Sequence, residues 1–244
     1  MDDHPDLIVF FPAAGAGGST LDQLRELATR REMAFLALPN PNAVEELRSG
    51  RWRADALERV REAAEAVGAV RVVVVGHCMG GLAAVGLVGS SAGSAVGRPV
   101  GALVVNTPCP DASGQIPTMT QLSDARIAEV LAGDGFPADL LEDEDMLAEI
   151  ADGLRAEAAV ADGIAEWVSR CAGPVDLHVL STRGDGFIRP DHAVGWWQRV
   201  SGELRMTVTD GGHAIDETSI DVLERSLDSV LAALSPALVP TGSA

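Results

Sequence analysis

The chain has 244 residues, enough for one α/β domain with an insertion, and its 47% hydrophobic content can fill a core without metal or disulfide. A formal net charge of −18, with arginine as its only strongly basic residue type, argues against nucleic acid and anionic membranes, which need basic surface to neutralise phosphate. The acidic start Met1-Asp2-Asp3-His4 is unlike a secretory signal, and no apolar run reaches the roughly 18 residues that span a bilayer, so a cytoplasmic protein is expected.

Leu7 to Phe11 reads as a short strand, followed by the glycine-containing run Pro12 to Ser19 and a helix with Leu21, Leu24 and Leu27 at helical spacing. A second strand covers Ala34 to Leu38 and is closed by Pro39-Asn40-Pro41. Ala54 to Val67 carries its apolar residues on one helical face. Val70 to Val75 is apolar on both faces, the pattern of a central parallel strand, and a helix starting near Met79 follows at once. Ala102 to Val105 forms another buried strand.

From about 107 to 171 the composition shifts to Asp, Glu, Ala and Leu with helical periodicity, which reads as a helical insertion of three helices punctuated at Gly133 to Pro137 and at Gly153. Alternation then resumes with a strand over Val175 to Leu180, a helix over Ala193 to Val200, a strand over Leu204 to Val208 and a helix over Ile220 to Leu234. Residues 1–106 and 172–234 therefore read as an α/β core with a mostly parallel sheet covered on both faces, 107–171 as its lid, and 235–244 as a flexible tail.

Gly76-His77-Cys78-Met79-Gly80-Gly81 lies between the best strand and a helix. A G-x-nucleophile-x-G stretch in that context is a nucleophile elbow: small neighbours permit a tight turn that lifts Cys78 above the sheet at a helix N-terminus. In this topology the acid and then the histidine follow the nucleophile in sequence. Asp185, in Gly184-Asp185-Gly186 after the penultimate strand, and His213, in Gly211-Gly212-His213 after the last, occupy those places. His178 falls inside a strand and His192 opens a helix; Asp176 and Asp191 are out of position, and Asp216 reads as a surface acid. The oxyanion donors expected are the amide of Met79 and one from Ala13 or Ala14. Cys78, Cys109 and Cys171 have no metal-ligand spacing, so reduced thiols and no metal are expected.

With these motifs in hand, the sequence resembles the type II thioesterases of polyketide and nonribosomal peptide assembly lines. The resemblance runs over residues 7 to 234 and rests on Phe11-Pro12-Ala13-Ala14-Gly15, the elbow, Leu122-Ser123-Asp124 in the insertion, Gly184-Asp185 followed by Trp196-Trp197, and Gly211-Gly212-His213. It implies an α/β-hydrolase fold and a monomer without cofactor. It also implies an acyl or peptidyl thioester substrate on the phosphopantetheine arm of a carrier protein, and a lid whose Met146, Leu147 and Trp167 line an acyl chamber. Arg126, Arg155 and Arg170 on the insertion are candidates for a carrier-docking patch.

Two positions depart from the family pattern: Cys78 stands where the family usually has serine, and Ala13 where it often has histidine. An acyl-cysteine thioester is the more reactive toward amines, so transfer or lactam-forming cyclisation is an alternative to hydrolysis. A lactone hydrolase of the dienelactone type, which also uses cysteine, and a silent fold used for binding are further alternatives.

Overall fold

The structure, a computed structural model, describes residues 5–14, 19–89, 92–110, 119–133, 136–171, 175–199 and 202–234. The acidic first residues, the run Gly15 to Gly18, Asp134-Gly135 in the insertion and the tail from Ser235 lie outside the described residues.

The strands are β1 Leu7–Phe11, β2 Ala34–Ala37, β3 Val72–His77, β4 Val100–Val105, β5 Leu177–Thr182 and β6 Leu204–Thr209. They form one parallel sheet in the order β2-β1-β3-β4-β5-β6. The helices are α1 Ser19–Arg30, α2 Val44–Arg48, α3 Arg51–Val67, α4 Met79–Val88, α5 Ala92–Val96, α6 Asp124–Gly133, α7 Ala138–Glu142, α8 Glu144–Cys171, α9 Pro190–Ala193 and α10 Ile220–Leu234. A parallel sheet must be covered on both faces, and the period-2 alternation of strand side chains divides the core accordingly. Leu7, Val9, Val72, Val74 and Val104 pack under α3, α4 and α8, whereas Ile8, Phe10, Val73, Val75 and Val105 pack under α1 and α10.

Two strands are displaced from their expected limits. β3 begins at Val72 rather than Val70, which is 42% exposed, and runs through His77. β5 covers Leu177–Thr182 rather than Val175 to Leu180. Both displacements carry the strands toward the edge where Cys78 and Asp185 lie. The single helix expected over Ala193 to Val200 is instead the short α9 followed by a 3-10 turn, Val194–Gln198. Pro190 opens α9 in its first turn, where a missing N–H costs nothing. α2 and α5, five residues each, are too short to register as a periodic pattern.

Between β4 and β5 the described residues form helices joined by short non-helical stretches, with no strand, but Gly153 is not one of the breaks: it lies inside the 28-residue α8. One interior glycine costs about 1 kcal/mol, less than the packing of so long a helix supplies. That packing is of two kinds. Toward its C-terminus α8 joins the main core through Ile164, Ala165 and Val168, with Gly163 against Val44 of α2. Earlier in the helix, Ala151 and Leu154 form a small separate cluster with Ile127 of α6. No helix among the described residues is long and apolar enough to cross a membrane.

Candidate active site

β3 ends at His77 and α4 starts at Met79, so Cys78 alone reverses the chain. Its backbone sits at φ 53° and ψ −117°, a conformation costing a side-chain-bearing residue about 1–3 kcal/mol. The Cys78 N–H donates to the Val105 carbonyl at 2.9 Å, and the Gly81 N–H donates to the Cys78 carbonyl at 3.0 Å. The neighbouring glycines are steric requirements. A Cβ on Gly76 would strike the Gly80 carbonyl, one on Gly80 the Phe11 carbonyl, and one on Gly81 the Thr107 side chain. The half-buried Cys78 is thus fixed at the N-terminus of α4, where unpaired N–H groups and the helix dipole favour negative charge.

Asp185 and His213 arrive from the ends of the last two strands, β5 and β6. Asp185 is 2% exposed, and its Oδ1 accepts the N–H groups of Phe187 at 2.8 Å and Ile188 at 2.7 Å. That leaves Oδ2 for the Nδ1 of His213, at 2.7 Å. Cys78 is near enough for its charge to act on the His213 ring, so Asp185, His213 and Cys78 follow one another as a line of interacting side chains. Burial alone would lower the His213 pKa, but the charge of nearby Cys78, the hydrogen bond to Asp185 and the Asp185 charge together hold it well above 6.5. Such a line can hold a thiolate beside an imidazolium and pass a proton between sulfur and nitrogen.

The residues set aside on sequence grounds are occupied elsewhere. His178 is buried with its Nε2 2.9 Å from the Thr207 hydroxyl, and His192 is buried with its Nδ1 accepting the Arg189 N–H. Asp216 caps the turn before α10, accepting the N–H groups of Thr218 and Ser219 and both their hydroxyls. Cys109 is 1% exposed. Among the described residues no three His, Cys, Asp or Glu side chains gather as a metal site.

The chain leaving β1 crosses the first turn of α4, because Gly80 lies directly against the Phe11 and Pro12 carbonyls. Asn40 Nδ2 donates to the Pro12 carbonyl at 2.8 Å and holds this crossing, with Ala13 and Ala14 half-buried immediately beyond it. Of the expected chamber residues, Met146 is 40% exposed and Leu147 half-buried near the start of α8. Trp167 lies over Gly86, two turns into α4, and edge-on to Trp52 at 6.4 Å between ring centres. Its contacts are those of a side chain that packs α8 onto α3 and α4. The three insertion arginines spend their charge locally: Arg126 on Glu129, Arg155 on Asp124 and Asp152, and Arg170 on Glu166. They form no free basic patch.

Two residues around His213 carry no role in the sequence reading. His77 lies beneath its ring, 4.7 Å between centres, and Asn106, the buried polar residue that ends the apolar run of β4, reaches its backbone. A polar residue closing a buried strand is the signal that could have singled out Asn106.

Comparison with known proteins agrees with this architecture. The chain has structural likeness to RedJ, a thioesterase from the prodiginine biosynthetic pathway in Streptomyces coelicolor, at 22% identity and a TM-score of 0.58 over 93% of this chain and 91% of that one. YbtT, a type II thioesterase from the yersiniabactin NRPS/PKS biosynthetic pathway, gives 17% identity and a TM-score of 0.66 over 96% of both chains. Human thioesterase 2 gives 16% identity and 0.65 over 95% of this chain and 98% of that one. At these identities the likeness is one of fold. No curated protein matches the sequence. The family model described as "Alpha/beta hydrolase family" matches residues 8–225, nearly the whole of the sheet and its helices. The chain belongs to the alpha/beta hydrolase family.

Proposed function

We propose that this hydrolase cleaves acyl or peptidyl thioesters carried on the phosphopantetheine arm of a carrier protein, with Cys78 as nucleophile, His213 as proton carrier and Asp185 as its anchor. The observation that carries the reading is the Asp185–His213 hydrogen bond, 2.7 Å, with Cys78 acting on the same ring from the head of α4. The resemblance to type II thioesterases and the fold shared with RedJ and YbtT supply the substrate class.

In the first step the Cys78 sulfur attacks the thioester carbonyl carbon, and the C–S bond to pantetheine breaks. The departing thiolate takes the proton held on His213, leaving an acyl-Cys78 thioester. The N–H of Met79 and one from Ala13 or Ala14 face the developing oxyanion in this reading. Acylation also removes the charge on Cys78, the foremost influence raising the His213 pKa, so burial then keeps the deprotonated ring neutral. Neutral His213 is the base that the second step requires: it takes a proton from water, which attacks the acyl carbon and releases the acid, and the proton returns to the Cys78–His213 pair. The exposed start of α8, with Met146 and Leu147, bounds the acyl group.

One observation favours a second reading, the sulfur itself. Exchange of an acyl group between thiols is nearly isoenergetic, and an acyl-cysteine reacts more readily with amines than a serine oxoester does. Transfer to an amine, including ring closure, is therefore the alternative outcome of the same acyl-enzyme. The test is release of pantetheine thiol from an acyl-pantetheine thioester, with acid and amide products quantified with and without added amine, for wild type and Cys78→Ser. Hydrolysis predicts acid as the main product of wild type. Acyl transfer predicts amide, with a shift toward acid in Cys78→Ser. Absence of thiol release from any acyl-pantetheine would overturn both readings.

A further inference from the structure

The backbone of His213 is held as firmly as its ring. Its carbonyl accepts two side-chain hydrogen bonds, one from His77 Nε2 at 2.8 Å and one from Asn106 Nδ2 at 2.8 Å. The partners come from far away in the chain, His77 from the last residue of β3 and Asn106 from the residue just after β4. Since the acceptor is a carbonyl, His77 must carry its hydrogen on Nε2.

The satisfaction of Asn106 is complete. It is 0% exposed, and its amide also donates to the Gly212 carbonyl at 3.2 Å. Its Oδ1 accepts the Thr182 N–H at 2.9 Å and the Thr182 hydroxyl at 3.1 Å, while that hydroxyl lies 2.6 Å from the Gly212 carbonyl. Its backbone adopts the left-handed φ of 44°. Strain of about 1–3 kcal/mol at a non-glycine residue persists where surrounding contacts over-determine it, and here those contacts run to the Gly212-His213 loop.

We propose that His77 and Asn106 are positioning residues for His213: they clamp its carbonyl from the ends of two adjacent strands and so fix its imidazole between Asp185 and Cys78. The inference rests on the role given to His213 above. The ring rotation is set by Asp185 at Nδ1, and the His77 ring, tilted 37° beneath, limits its other freedom. Burial, and then the His213 charge, push the His77 pKa down to about 3, so His77 stays neutral and adds no second cation beside the imidazolium. Among the described residues, the ionisable side chains that act on His213 are thus Cys78, Asp185 and His77.

The experiment needs no thioester. The rate of Cys78 alkylation by iodoacetamide is measured from pH 5 to 10 on the full chain, together with melting temperature and the low-field Nδ1–H proton resonance of His213. Asn106→Gly removes the amide while accepting the left-handed backbone, and His77→Phe keeps the ring but removes the donor. Both should remain folded, slow alkylation at neutral pH on the order of 10²-fold, move the midpoint of the pH profile and lose the low-field proton. His77→Gln, which can still donate to the carbonyl, should recover most of the rate and the resonance. Thr182→Val, nearly isosteric, gives a milder shift in the same direction and is the reporter if the other substitutions unfold the chain. Folded variants that melt lower but keep wild-type rate, midpoint and resonance would overturn the proposal. Loss of thioester turnover with these signatures intact would count against the proposed function instead.

Discussion

The C-terminal edge of the sheet and the helical segment between β4 and β5 are built in opposite ways. At the edge, each important group is held several times over: Asp185 by two backbone N–H groups, Cys78 by its own strained turn, and the His213 loop by Asn106 and Thr182. In the segment, α6 meets the first half of α8 through three buried apolar residues and the surface ion pair Arg155–Asp124, which contributes little. Only the second half of α8, with Ile164 and Val168, belongs to the main core. Rigid geometry is thus concentrated where bonds would be made and broken, and freedom is left where acyl groups of different length would have to fit.

The largest effect should come from the rigid edge. His213→Ala should slow thioester turnover about 10³-fold, within the range of a positioned general base, without a large fall in melting temperature. Asp185→Asn should cost less than the roughly 10⁴-fold seen where a serine depends on its acid, because a thiol ionises with less help. The reason for any loss is specific: the Asn oxygen can still accept from Phe187 and Ile188, which turns its NH2 toward Nδ1 and forces the wrong tautomer on His213. Damage from Asp216→Asn with a silent Asp185→Asn would reverse the choice of acid.

Next in size is the contrast within α8. Trp167→Ala opens a void over Gly86 and beside Trp52 and should cost about 2 kcal/mol, below the 3–5 kcal/mol of a fully buried tryptophan, read from denaturant unfolding. Met146→Ala, at an exposed position, should change stability by less than about 0.5 kcal/mol while altering preference between short and long acyl groups. Equal stability losses at the two positions would dissolve the distinction between the two halves of the helix.

The effect that is smallest at neutral pH is a pH limb. His77 is neutral in the fold down to about pH 3, whereas in the unfolded chain it protonates near 6.5. The unfolded state therefore binds more protons between those values, and stability falls as pH drops from 6.5 toward 3. His77→Gln should flatten that limb in acid-unfolding curves, and an unchanged limb would place the acid sensitivity elsewhere.

Much of this was legible in the sequence, for identifiable reasons. The valine run Val72–Val75 and the glycines around Cys78 are local signals of a buried strand and a tight turn. Chain order then carried Asp185 and His213 to the same edge, where they are joined at 2.7 Å. Strand limits were displaced by two residues because Val70 and Val175 are as apolar as the residues that enter the sheet. Gly153 misled because its penalty is small against a long packed helix. The clamp was not legible, since His77 and Asn106 reach His213 across 136 and 107 residues of sequence and bond to a backbone carbonyl, which leaves no side-chain pattern to read.

Whether Cys78 carries the acyl group is decided by intact-mass measurement after brief exposure of the protein to an acyl-pantetheine thioester. A single added acyl group should appear, assigned to Cys78 by peptide mapping, persisting in His213→Ala when excess thioester drives loading, and absent in Cys78→Ala. An adduct at Cys109 or Cys171, or loading that survives in Cys78→Ala, would contradict that assignment.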